Sequence, residues 1–81
     1  MHIKITDQET GAISILCIER EARKAIVLQL DQPDHLPKLV EIAKAAGADE
    51  IEIQWGANWD QIPGSNWGQT QDWFVYTKDL R

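Results

Sequence analysis

With 81 residues, 43% of them hydrophobic and 26% charged, the chain suits one folded domain and is too short for two cores. Thirteen acids against eight bases give a formal net charge of -5, which argues against direct nucleic-acid binding, because affinity for phosphate comes from Lys and Arg. One cysteine and two histidines exclude an internal disulfide and a Cys/His structural zinc site; with no bilayer-length apolar run and no secretory segment at the N-terminus, a cytoplasmic protein without membrane contact is expected.

His2 to Asp7 alternates, with Ile3 and Ile5 on one face, and reads as a half-buried strand. Gln8 to Gly11 follows as a turn, with Gly11 free to take positive φ. Ala12 to Glu19 is isoleucine-rich and reads as a second strand. Its alternation is poor: Ile13, Ile15 and Cys17 point one way, Leu16 and Ile18 the other. Either both faces are covered or a bulge shifts the register. A helix from Ser14 to Lys24 is the alternative; the short β-branched runs favour a hairpin turning near Arg20 to Ala22. Lys24 to Leu30 is the third strand, with Ile26, Leu28 and Leu30 on one face.

Asp31 to Asp34 breaks that strand. Asp34 is the expected N-cap of a helix with Pro37 in its first turn. Leu36, Leu39, Val40, Ala43 and Ala46 form its apolar stripe, Ile42 lies at the edge, and Gly47 supplies the stop. Asp49 to Trp55 is the cleanest strand, with Ile51, Ile53 and Trp55 inside and Glu50, Glu52 and Gln54 outside. Strand, helix and strand from Lys24 to Trp55 suggest a βαβ crossover with parallel strands. Residues 56–71 form a long loop rich in Trp, Gly and Asn, and Trp73 to Thr77 is the last strand.

The expected fold is α+β: one domain over residues 1–81, with about five strands in a mostly antiparallel sheet, order βββαββ, and one helix on one face. The uncovered face is expected to carry His2, Lys4, Leu16, Ile18, Val27, Glu50, Glu52, Phe74 and Tyr76, an apolar patch of the kind that marks a dimer or partner surface.

Little in the sequence points to catalysis. Cys17 reads as a buried, inert thiol and His35 as a surface residue at the helix entrance. No Ser/His/Asp grouping, Gly-rich phosphate loop or metal set stands out, so no catalytic residue, metal or cofactor is expected. Two features remain. Between Ala45 and Thr77 the chain carries Asp49, Glu50, Glu52, Asp60 and Asp72 and no Lys or Arg, and all four tryptophans lie in this stretch. Trp55 and Trp73 suit core positions; Trp59 and Trp67, in Asn58-Trp59-Asp60 and Asn66-Trp67-Gly68, suit either core plugs or interface anchors.

In size and acidity the chain resembles small inhibitors of the bacteriocin-immunity and phage anti-defence kind, a likeness of composition that carries no motif. The expected function is a non-catalytic protein-binding module for a partner with a basic surface. Asn58, Trp59, Asp60, Trp67, Glu50 and Glu52 are the candidate contact residues. The alternatives are binding of a carbohydrate or cationic metabolite in the Trp-rich loop, and a structural role through a homodimer.

Overall fold

A computed structural model describes residues 1–55, 62, 67–71 and 74–81. Its architecture is a six-stranded mixed sheet of order β1-β2-β3-β4-β6-β5 with one α-helix on one face. β1 (His2–Thr6), β2 (Ile13–Glu19) and β3 (Lys24–Leu30) form an antiparallel meander. β4 (Glu50–Gln54) runs parallel to β3, β6 (Val75–Asp79) antiparallel to β4, and β5 (Gly68–Gln69) antiparallel to β6. The α+β class and the parallel β3–β4 pair agree with the sequence pattern. The sixth strand lies within the stretch read as loop, and the last strand is Val75–Asp79, two residues later than its alternation suggests. Trp73 lies outside the described residues.

The turns follow their residues. Gly11 takes φ +76, and the Asp7 carboxylate accepts the Glu9 and Thr10 N–H groups at 2.8 and 3.3 Å, closing the β1–β2 turn. Arg23, at φ 52, makes the left-handed step of the β2–β3 turn. A 3-10 turn at Pro33–His35 leads into α1 (Leu36–Ala45). Asp34 is therefore not the cap: it lies inside the 3-10 turn, His35 takes the N-cap position, and no side chain caps the helix. Gly47, at φ +87, ends α1 as its sequence position suggests.

The core lies between α1 and the inner face of the sheet. Leu36, Leu39 and Ala43 of α1 are buried with Leu16, Ile18, Ala25, Val27, Ile51 and Ile53, and Trp55 joins them as expected. This reverses part of the face assignment. Leu16, Ile18 and Val27 face the helix rather than the open side, and Tyr76 packs against the same core. The reason is visible in the register: Leu16 pairs with Val27, Val27 with Ile53, and Ile53 with Tyr76, so one buried row crosses the sheet. Cys17, one residue out of phase, is half-exposed on the outer face rather than buried. The β2–β3 register shifts between Ile15 and Leu16, which pair with Gln29 and Val27; Leu28 is the extra residue of a bulge in β3.

His35 is buried, not on the surface. Its Nδ1 lies 2.7 Å from the Oγ of fully buried Ser14, and its Nε2 lies 4.0 Å from the Asp7 carboxylate. The Ser14–His35 contact ties the helix entrance to β2, and Asp7 places the turn after β1 beside it.

Candidate functional site

The β3–β4 ladder is short. It pairs Lys24–Val27 with Glu50–Ile53 and stops there. Beyond it the Leu28 bulge carries β3 along β2, while Gln54 follows β6 by pairing with Val75. Two parallel strands that part in this way leave a fork at their carboxyl ends, the place where open sheets with parallel strands commonly hold ligands. A cleft of about 680 Å³ occupies the fork. Ile26, Leu28 and Gln29 line its β3 wall; Glu52, Gln54 and Val75 line the opposite wall. Leu28 is 55% exposed and Phe74, also in the lining, 54%.

Glu52 is the single charged side chain among the described residues of the lining. One of its oxygens accepts Lys24 Nζ at 3.2 Å, and both side chains are about one-third exposed, at 28% and 31%. Past the end of β3, the Asp31 carboxylate accepts the side-chain amide of Gln29 at 3.1 and 3.2 Å and, from β2, the Ile13 N–H at 3.1 Å.

Topology adds an electrostatic feature. β1, β3 and β4 all run toward the fork end, so the connections after β1 and β3 meet there. These carry Asp7, Glu9, Asp31 and Asp34 and no Lys or Arg; the next base along the chain is Lys38, in α1. The opposite end holds Arg20, Arg23 and Lys24 near the β2–β3 turn and Arg81 after β6, with ion pairs Arg23–Asp49 at 3.1 Å and Arg81–Asp79 at 3.3 Å. Glu19, Glu21, Asp49, Glu50 and Asp79 offset the bases at that end, so among the described residues it is the fork-end connections that carry unbalanced acid. Asp7 has its carboxyl held below the ordinary 3.8, first by the Glu9 and Thr10 backbone N–H groups and further by His35, so it is ionised at neutral pH.

The residues singled out from the sequence do not form one site. Glu50 and Glu52 alternate with buried Ile51 and Ile53 and lie on the outer face. Glu52 lines the fork, whereas Glu50 lines a smaller hollow of about 310 Å³ at the opposite end with Arg23, Asp49 and Asp79. Trp67 packs against the core, with Lys78 Nζ 6.0 Å from its ring centre and its indole N–H buried without a hydrogen-bond partner among the described residues. Asn58, Trp59 and Asp60 lie outside the described residues. The fork residues Leu28, Gln29 and Gln54 were missed. The broken alternation of Ala12 to Glu19 was the available signal, but it is the partner strand β3 that carries the extra residue. The sequence reading also missed the Ser14–His35–Asp7 grouping. Ser14 is completely buried in β2, so its hydroxyl has no access to a substrate and the grouping acts as a structural tie.

The chain matches no protein-family model, no curated protein and no solved structure. No helix among the described residues is long and apolar enough to cross a membrane.

Proposed function

We propose that the chain is a non-catalytic protein-binding module that docks a partner with a basic surface at its fork end. The observation that carries this reading is the placement of base-free connections, with Asp7, Glu9, Asp31 and Asp34, beside a partly apolar cleft. The acids steer a basic surface toward the cleft, and the cleft supplies the desolvated contact that holds it. Where the partner's basic surface serves nucleic acid, the acids mimic phosphate and docking inhibits it, the mode suggested by the chain's likeness in composition to small inhibitors.

Affinity capture from an extract of the source cells tests this, with wild type and a Glu9→Gln/Asp34→Asn variant as baits. The expected result is a basic protein retained by wild type, released by salt, and retained poorly by the variant. Salt-insensitive capture, or equal recovery by both baits, counts against the reading.

A second reading draws support from size. A cleft of about 680 Å³ falls within the range of about 300–1,000 Å³ typical of small-molecule sites. The side chains of Gln29, Gln54 and Glu52 suit sugar hydroxyls or a cationic metabolite. Trp55 lines the cleft, so fluorescence titration with sugars and amines distinguishes this case: a saturable change that Leu28→Glu abolishes favours it.

A further inference from the structure

We infer that the fork takes an extended basic segment of the partner, with an apolar side chain seated beside Leu28 and a Lys or Arg beside Glu52. This rests on the docking reading above and names the part of the partner that enters. Three observations carry it. First, among the described residues β3 has no strand partner on its β4 side past Val27, so the stretch Leu28–Leu30 offers an open edge to an extended chain. Second, Ile26, Leu28 and Val75 give the cleft apolar walls, and Leu28 is more than half exposed, as an anchor seat awaiting a side chain would be. Third, the charged side chain in the lining, Glu52, is acidic. Glu52 uses one carboxylate oxygen for Lys24, and its second has no partner among the described residues. Among the described residues no Lys or Arg lines the cleft. An incoming guanidinium can bond the second Glu52 oxygen without displacing Lys24.

An acidic or neutral segment gains only the apolar contact. A second copy of this chain is a poor occupant: its fork-end connections are base-free, and at its opposite end Arg23 and Arg81 are already paired with Asp49 and Asp79. The site therefore selects a basic segment with an apolar residue, rather than any apolar chain.

The test uses the full chain, isotope-labelled, and three capped tetrapeptide amides: Arg-Leu-Phe-Arg, Glu-Leu-Phe-Glu and Arg-Gly-Ser-Arg. Backbone amide shifts of Ile26, Leu28, Gln54 and Val75 are followed. The basic apolar peptide is expected to shift these amides saturably, and each of the others to bind at least tenfold more weakly. Leu28→Ser is expected to weaken the first peptide at least tenfold while leaving the melting temperature unchanged, and Glu52→Gln to narrow the preference for basic over acidic peptide. Equal binding of the first two peptides overturns the cation contact. Equal binding of the first and third overturns the apolar seat but leaves docking of a basic surface standing. No response at the fork to any peptide overturns the inference, and the bait comparison then decides independently whether a partner docks at the acid end.

Discussion

Ser14 and His35 show how a polar contact governs its surroundings. Ser14 is fully buried, so its hydroxyl must be satisfied within the protein, and His35 Nδ1 at 2.7 Å does this. One of the two groups donates and the other accepts, and the pair joins β2 to the helix entrance. His35 read as a surface residue because its neighbours Asp34 and Pro37 belong to an exposed turn; only the fold brings it against Ser14. Asp7 stands beside the pair, and its depressed carboxyl, held chiefly by the Glu9 and Thr10 N–H groups, makes the β1–β2 turn sensitive to acid. A carboxylate whose folded value lies below its unfolded value stabilises the fold above the unfolded value and loses that contribution as pH falls through the folded one. For Asp7 the contribution is complete above 3.8 and disappears at lower pH. Asp7→Asn keeps an oxygen to accept the Glu9 and Thr10 N–H groups but carries no charge. Urea midpoints measured between about pH 3 and pH 6 should fall more steeply on acidification for wild type than for Asp7→Asn. Parallel curves would show that Asp7 is not a source of the acid sensitivity.

At the scale of elements, alternation was legible where one face is apolar and the other polar. β4 has Ile51 and Ile53 on one face and Glu50 and Glu52 on the other, and its orientation was correct from sequence. β2 has apolar side chains on both faces, so only the position of α1 decides that Leu16 and Ile18 are core while Ile15 and Cys17 are not. β3 is harder still, because a bulge cannot be located from an apolar run in one strand alone. The edges also carry information. β1 is an edge strand with Lys4 at its centre, a residue that discourages strand addition by another chain, whereas the open stretch of β3 past Val27 carries no charge. The bulge yields a sharp comparison between two leucines of the same sheet. Leu16 is 0% exposed and Leu28 55%. Leu16→Ala should cost about 2–5 kcal/mol, as for core leucines that leave a cavity, while Leu28→Ala should stay within about 0.5 kcal/mol. Urea denaturation measures both. A Leu28→Ala loss comparable to that of Leu16→Ala would place Leu28 in the core and remove it as an anchor seat.

For the whole molecule, the sequence made its acidity visible but not its direction. The base-free stretch from Ala45 to Thr77 drew attention to the C-terminal half, while the chain up to Lys44 looked close to neutral. Folding divides that neutral half. Strand direction sends Asp7, Glu9, Asp31 and Asp34 to the fork end and Arg20, Arg23 and Lys24 to the other. Linear charge counts cannot express this: at the opposite end Glu19 and Glu21 offset the bases, whereas the fork-end connections carry acids and no Lys or Arg. The imbalance has a consequence that net charge lacks: where an acid is removed should matter more than how many are removed. Glu9→Gln with Asp34→Asn neutralises two exposed carboxylates at the fork end, and Glu19→Gln with Glu21→Gln neutralises two exposed carboxylates at the opposite end. Both variants move the formal net charge from -5 by the same amount. If association is steered by the local field, the first pair should slow binding of the Arg-Leu-Phe-Arg peptide about threefold or more at low salt, and the second should change it by less than about twofold. Raising ionic strength shortens the screening length to a few ångströms, and the two variants should converge with wild type. Stopped-flow association rates across a salt series read this directly. Equal slowing by the two pairs would mean that the peptide senses only total charge, and the fork end would lose its standing as the docking surface.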